Sequence, residues 1–143
     1  MVYEYTNNLD KENKMADTRK DIIYADECYK IMGLIFEMYN EIGYGHKENI
    51  YQKALAVAFK ENKIEFQEQL MVNMTYKDKE IGKYFFDFLV DKKIILELKV
   101  RNYFSKKDIE QLYKYLKAAN LKLGLIIHFT KDGVKYKRVV NLD

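Results

Sequence analysis

Gly82-Lys83-Tyr84-Phe85-Phe86-Asp87-Phe88-Leu89-Val90, a charged break Asp91-Lys92-Lys93, and Ile94-Ile95-Leu96-Glu97-Leu98-Lys99-Val100-Arg101 form the stretch that decides how this chain is read. Two runs of aromatic and branched apolar residues around a short polar break predict a β-hairpin. Three ionisable residues, Asp87, Glu97 and Lys99, stand inside those apolar runs. Burying charge is costly unless it is paired or holds a metal. Side chains alternate along a strand, so Glu97 and Lys99 share one face while Leu96, Leu98 and Val100 share the other.

The register decides whether the three groups meet. Directly opposed residues of an antiparallel pair lie on the same face. A three-residue loop pairs Val90 with Ile94 and sets Asp87 opposite Glu97. A two-residue loop would pair Val90 with Lys93 and part the carboxylates, because a one-residue slip turns every side chain over. The expected register is the one with the three-residue loop.

Working outward, 143 residues suit one domain with a core of its own, and 48% hydrophobic residues supply that core without metal or disulfide staples. The net charge of +3 is too small to announce nucleic acid by itself. The single cysteine, Cys28, rules out an internal disulfide framework and fits a reducing cytosol. No apolar run has the length of a membrane span, and the first residues carry no signal-peptide core. The expectation is a soluble, cytoplasmic protein with no membrane partner.

Residues 1–20 are polar without sustained periodicity and are read as a flexible arm, leaving 21–143 as a single domain. From Asp21 to Ile42, Tyr24, Cys28, Ile31, Ile35, Met38, Tyr39 and Ile42 recur at helical spacing. Cys28 lies on that stripe and reads as a buried structural thiol. Gly43-Tyr44-Gly45 ends this helix. A second helix is expected from Lys47 to Asn62, burying Tyr51, Ala54, Leu55, Ala58 and Phe59. Glu48 opens it. It either complements the helix dipole or, two turns above Leu55, faces inward as a functional acid. His46 reads as a loop residue, since no second histidine or cysteine stands at metal-site spacing.

Glu65 to Tyr76 has strand character, and Lys77-Asp78-Lys79-Glu80 turns it into the central hairpin. Ser105 reads as the N-cap of a helix from Lys106 to Asn120, with Asp108 three residues on in the capping-box position. Gln111 and Tyr115, spaced i, i+4, stack at the edge of its apolar stripe. Leu121 to Phe129 is a buried strand, and Tyr136 to Leu142 a last strand placed toward a sheet edge. The order helix, helix, three strands, helix, two strands predicts an α/β sandwich on a mixed sheet, with a meander first and a helical crossover after it.

Two carboxylates and a lysine on adjoining strands suit phosphodiester chemistry. Asp87 and Glu97 offer hard oxygen ligands to Mg²⁺ or Mn²⁺, with positions left for water and a phosphate oxygen. Such a cation polarises the ester and activates water, and Lys99 orients the nucleophile or neutralises developing charge. Glu48, brought in by the second helix, would add a third ligand or bind a second ion. The competing reading is a structural ion pair between Lys99 and one carboxylate, which leaves the other acid without a partner. Acid-x-Lys occurs four times in the chain, but only Glu97/Lys99 lies in an apolar strand with another acid one strand away.

Asp87, Glu97-Leu98-Lys99, Gln111 and Tyr115 together resemble the PD-(D/E)xK nuclease superfamily, in particular its RecB-like branch with a Q-x-x-x-Y helix. Gly45-His46-Lys47-Glu48-Asn49-Ile50-Tyr51 is similar to G-x-x-E-x-x-Y, the signature of the small GxxExxY family, with Gly45 and Tyr51 as its fixed ends. The resemblance implies an αβββαβ core. It implies Asp87, Glu97 and Glu48 as metal ligands, Lys99 as the catalytic lysine, and Gln111 and Tyr115 as groups that position water or a phosphate. Phe86 stands where the superfamily name has proline. The function implied is a Mg²⁺-dependent (or Mn²⁺-dependent) nuclease acting on nucleic acid, DNA in the first instance, with a homodimer as one way to grip a duplex. The alternatives are a non-catalytic module binding nucleic acid or protein, and a metal-dependent enzyme of small phosphorylated molecules. Lysines 92, 93, 106, 107, 131, 135 and 137, with Arg101 and Arg138, are the cations available for phosphates or for plain solvation.

Overall fold

The computed structural model describes residues 2–6 and 22–143. The elements run β1 (Val2–Thr6), α1 (Ala25–Ile42), α2 (Glu48–Glu61), β2 (Phe66–Tyr76), β3 (Lys79–Val90), β4 (Ile94–Lys99), α3 (Lys106–Ala119), β5 (Leu123–Thr130) and β6 (Gly133–Val140). The sheet order is β1-β6-β5-β4-β3-β2. β2, β3 and β4 form the antiparallel meander, α3 crosses over to a parallel β5, and β6 returns antiparallel to β5. This is the mixed α/β architecture expected from the order of elements.

The central hairpin has the three-residue connection. Val90 pairs with Ile94, Leu89 with Ile95 and Phe88 with Leu96. The turn is made by Asp91 and Lys92, both in the left-handed region at φ 52° and 57°, and is closed by the Lys93 N–H donating to the Val90 carbonyl.

Alternation divides the apolar residues between two faces. Phe88, Val90, Ile94, Leu96, Leu98, Leu125 and Ile127 pack under α1 and α2, whose inward stripes are Cys28, Ile31, Ile35 and Tyr51, Leu55, Phe59. Ile95, Ile126, Val139, Phe86 and Val72 pack under α3 through Ile109, Leu112 and Leu116. β5 is buried along its whole length, as a strand covered on both faces should be. Gly124 is where α3 comes closest: a Cβ there would lie 2.8 Å from a Leu112 methyl.

Several boundaries differ from expectation. α1 begins at Ala25 rather than Asp21, after a turn in which Tyr24 takes φ 53°. The Arg138 guanidinium donates to the Ile23 carbonyl and holds that turn. Arg138 is buried, so it is not among the cations open to a phosphate. β6 starts at Gly133, not Tyr136, and is not an edge: Val2–Thr6 pairs along it and takes up its outer backbone groups. The stretch read as an arm therefore contributes a strand, and its remaining residues, 1 and 7–20, lie outside the described ones. Ser105 caps α3 by accepting from the Asp108 N–H. Asp108 does not complete a capping box but pairs with Arg101.

The corner between α1 and α2 is built by aromatic packing. Gly43, at φ 79°, ends α1, and the Tyr51 hydroxyl donates to its carbonyl at 2.7 Å. The Tyr51 ring stacks on Phe129 with centroids 4.0 Å apart and planes at 7°. Tyr39 flanks both rings and donates to the Thr130 carbonyl. His46 lies edge-on to Tyr51 and donates to the Ile42 carbonyl, the loop role expected of it. Tyr51 is fully buried, so Tyr51→Ala is expected to cost about 3–5 kcal/mol by denaturant unfolding. Tyr51→Phe keeps the stack, leaves the Gly43 carbonyl unpaired, and should cost only about 1–2 kcal/mol.

Candidate active site

β4 carries Glu97 into the interior at 7% exposure, on the face shared with Ile95 and α3. Asp87, 9% exposed, comes from β3, where the strand changes course. The β3–β4 ladder stops at Phe88↔Leu96. Two residues further along β4, the Leu98 N–H donates not to a β3 carbonyl but to Asp87 Oδ2, at 2.7 Å. Across β3, between the pairs Glu68↔Phe88 and Leu70↔Phe86, Gln69 adopts φ 54°. A non-glycine residue in that region costs about 1 kcal/mol or more, so the bend is held by its surroundings. Its effect is to reverse the alternation: Phe88 and Val90 point under α1 and α2, whereas Tyr84 and Phe86 point under α3.

Asp87 and Glu97 meet at this bend. Burial first, and then the Asp87 carboxyl beside it, push Glu97 up to about 9. The pair thus holds a proton at neutral pH that one carboxylate in water would have lost. Two hard oxygen donors whose mutual repulsion is relieved by a proton or a cation are a donor set that fits Mg²⁺, which takes one or two protein carboxylates and fills its other positions from water and phosphate.

Tyr84 was not singled out in the sequence. Its hydroxyl donates to Glu97 Oε2 at 3.1 Å, and its ring packs on Phe86 and Tyr115. The available signal was a tyrosine three residues before Asp87, legible only to a reader who knew that the alternation reverses there. The bond pulls Glu97 down. Tyr84→Phe should therefore raise the Glu97 pKa and move divalent-ion uptake to higher pH, weakening it about 3–10-fold at pH 7 by calorimetry.

Lys99 ends β4, half-buried, on the Glu97 face and in register with His128 of β5. Among the described residues it makes no salt bridge with either carboxylate, so the purely structural ion pair is not what the fold contains. His128 is 1% exposed, and its ring stacks on Phe104 with centroids 3.9 Å apart. Burial, reinforced by Arg101, holds it near 4, so it is neutral beside Lys99. Arg101 pairs with Asp108 and covers the Tyr103 ring at 5.3 Å.

Glu48, the first residue of α2, is exposed as a whole. Its carboxyl is nonetheless raised, by partial burial and then by Asp87, while Lys99 and Arg101 oppose the shift. Those influences put Glu48 within the field of the site rather than on a remote helix face. Among the described residues, however, no three acidic, histidine or cysteine side chains stand together as a ready metal cage. Asp87 and Glu97 are in contact, and Glu48 faces them from the other layer. Gly45 and Tyr51 do not join the site. They set the corner that aims α2, Gly45 at φ 104° and Tyr51 through its stack on Phe129. Tyr115 touches the site through Tyr84, and Gln111 lies one turn away along α3, lining a groove with it.

An acid pair on β3 and β4, a lysine two residues beyond the second acid and a helix-borne glutamate have a counterpart in sequence. Residues 25–139 match the profile of the PD-(D/E)XK nuclease superfamily. The chain belongs to that superfamily. Among solved structures it is similar to the protein SSO0001, at 19% identity with a TM-score of 0.52, covering 66% of this chain and 50% of that one. It is also similar to the alkaline exonuclease LHK-Exo of Laribacter hongkongensis, at 12% identity with a TM-score of 0.50, covering 82% of this chain and 70% of that one. The chain thus spans half the length of the first neighbour, and at these identities the likeness is one of fold. No curated protein matches it in sequence. No described helix is long and apolar enough to cross a membrane.

Asp87 and Glu97-Leu98-Lys99 are the residues read from the sequence as the D and (D/E)xK of that superfamily, and they fall within the matched range. Phe86, in the place of the motif's proline, is a buried ring against Tyr84 and Tyr115. It packs the far side of the bend, a role that proline could not fill with the same contacts.

Proposed function

We propose that this PD-(D/E)XK protein is a nuclease that hydrolyses phosphodiester bonds in DNA with Mg²⁺ or Mn²⁺ held by Asp87 and Glu97. The observation that carries this reading is the buried acid pair with a raised Glu97, on the face of Lys99, which makes no salt bridge among the described residues. When bound, the cation would supply Lewis acidity toward the phosphate and the means to activate water. Asp87 and Glu97 would hold it, with Glu97 losing the proton that its raised pKa lets it keep at neutral pH. Lys99 presents its ammonium on the same face to offset charge gathering on the phosphate in the transition state. Glu48 adds an acidic group from the helical layer, as a further ligand or as an acceptor for the proton of the attacking water. Tyr84 orients Glu97, and Tyr115 and Gln111 form the wall on which a phosphate or its water is positioned.

Membership of the GxxExxY family and of the RecB-like branch, on the strength of Gly45, Glu48, Tyr51, Gln111 and Tyr115, is part of the same proposal. So is a cytoplasmic location, supported by a sequence whose single cysteine, Cys28, is buried and has no second cysteine to pair with. A homodimer is a further expectation, checked by sedimentation.

The second reading is a non-catalytic module that binds nucleic acid, or a protein, on the same fold. The lack of a ready three-acid cage among the described residues favours it. Incubation of labelled DNA and RNA, single- and double-stranded, with Mg²⁺ or Mn²⁺ separates the two. Cleavage lost in Asp87→Asn and Lys99→Ala supports the nuclease. Binding without cleavage in either metal supports the module.

A further inference from the structure

We propose that the groove between α3 and the β2–β3 hairpin is a track for the phosphate backbone of one nucleic-acid strand, leading to Glu97. This inference rests on the nuclease reading above and adds the form of the substrate and the residues that hold it.

The hairpin outgrows its neighbour. β3 runs for 12 residues and β4 for six, so the first half of β3 and its partner β2 overhang α3 instead of continuing the sheet. Two adjoining hollows lie beneath the overhang, of about 410 and 290 Å³, both lined by Met74 and Lys114. The outer one adds Asn73, Thr75 and Lys117, and the inner one Lys107, Gln111 and Tyr115.

On α3, Lys107, Gln111 and Lys114 are spaced i, i+4 and i+7, which sets them in one row along the groove. Lys107 and Lys114 are about 10 Å apart along the axis at 1.5 Å per residue, close to three nucleotides of a stacked strand at 3.4 Å each. The lining charges differ in availability. Glu110 is engaged by Lys106, and Lys117 by Asp143 at 3.2 Å. Lys107 and Lys114 have no acidic partner among the described residues. The groove therefore offers two uncompensated cations, with polar Asn73 and Thr75 on the opposite wall.

Its inner hollow is bounded by Tyr115, and one further tyrosine separates it from the acid pair. Tyr115 lines the groove and packs on Tyr84 at 5.4 Å, and Tyr84 donates to Glu97. A phosphate chain lying along Lys114 and Lys107 would arrive at the tyrosine pair that orients Glu97. The slot lies between a helix and a hairpin, and one backbone with its bases turned outward is the occupant inferred for it. A duplex, with its second strand attached, would be stopped by the hairpin.

The test is fluorescence anisotropy of a labelled 20-nucleotide single strand, as DNA and as RNA, in EDTA so that no cleavage occurs, over a range of salt. For wild type the logarithm of the binding constant should fall with the logarithm of salt. In the Lys107→Gln/Lys114→Gln variant that slope should decrease by about 1.4, at about 0.7 per lost phosphate contact, with affinity roughly tenfold lower at 100 mM salt. Lys30→Gln/Lys60→Gln, exposed changes on α1 and α2, should leave both values unchanged, and thermal melting of both variants checks that the fold is kept. Equal losses for DNA and RNA support a backbone track, while a loss confined to one of them also supports it and names the sugar. An unchanged slope in the groove variant, tighter binding of the matching duplex, or equal displacement by polyglutamate would overturn the inference and leave the nuclease proposal standing. No binding of any nucleic acid by wild type would remove the nuclease proposal and this inference with it.

Discussion

Lys99→Ala is expected to lower cleavage of a labelled oligonucleotide in Mg²⁺ by on the order of 10²–10³-fold, the usual effect of removing one group that offsets transition-state charge. The expectation follows from where the lysine sits. Lys99 and Glu97 are two apart on one strand, so both side chains rise on the same face. The ammonium is half-buried and makes no salt bridge with Asp87 or Glu97. A lysine engaged with a carboxylate would have its charge spent in the resting protein, whereas this one retains it. Stability should change by less than about 1 kcal/mol, because no packed ion pair is broken. Metal uptake should persist at a somewhat higher pH, since Lys99 is one of the groups that lower Glu97. Lys99→Arg should restore only part of the rate, as a planar fork does not replace a compact point charge. Single-turnover cleavage together with thermal melting decides the matter. Undiminished cleavage by a folded Lys99→Ala protein would remove Lys99 from the reaction.

Glu97→Gln should abolish activity and at the same time stabilise the protein at alkaline pH in the absence of divalent ions. Folded Glu97 titrates near 9 against an ordinary 4.5. From about pH 4.5 to 9 the folded state therefore holds a proton that the unfolded chain has released. A state that binds more protons loses stability as pH rises, so the contribution of Glu97 is full below 4.5 and is lost progressively on approach to 9. Across that window the loss is on the order of a few kcal/mol. Glutamine mimics the protonated acid, can still accept from Tyr84, and carries no charge to repel Asp87. Urea unfolding at pH 5, 7 and 9 should thus show a falling midpoint for wild type and a flatter one for Glu97→Gln, with the variant ahead at pH 9. Mg²⁺ should raise the wild-type midpoint at pH 8 more than at pH 6, and should not raise that of the variant. Parallel pH profiles for the two proteins would mean that folded Glu97 does not keep the proton assigned to it.

The parts of this molecule that were legible in advance are those governed by local pattern. Apolar spacing identified the three helices, and the Asp91-Lys92-Lys93 break set the loop length that pairs Val90 with Ile94. Ser105 was legible as a cap because capping depends on one side chain and the next turn. What alternation could not show is the reversal at Asp87. It depends on the left-handed Gln69, 18 positions before Asp87, and on the Leu98 N–H, 11 positions after it, being taken by the Asp87 side chain. For that reason Tyr84 was missed although it stands beside Asp87 in the sequence.

Other differences have the same origin. Arg101 and Arg138 read as free cations, but one is paired with Asp108 and the other is buried against the Ile23 carbonyl. His128 read as part of an apolar strand, and the fold does bury it, yet its register with Lys99 follows only from the parallel pairing across α3. Val2–Thr6 is rich in β-branched and aromatic residues, but a five-residue strand has no pattern strong enough to stand out before its partner β6 is known. Glu48 could be placed on its helix from the sequence. That it feels Asp87 depends on the Tyr51–Phe129 stack, which brings the start of α2 to the end of β5.

The central claim is that the buried Asp87–Glu97 pair exchanges its proton for a divalent cation. Isothermal titration of the wild-type protein with Mg²⁺ and with Mn²⁺ at pH 7.5, in two buffers of different ionisation enthalpy, measures ion and proton together. Uptake of a cation with release of close to one proton per ion, abolished in Asp87→Asn, is the predicted result. Uptake with no proton released, or no uptake at all, would contradict it.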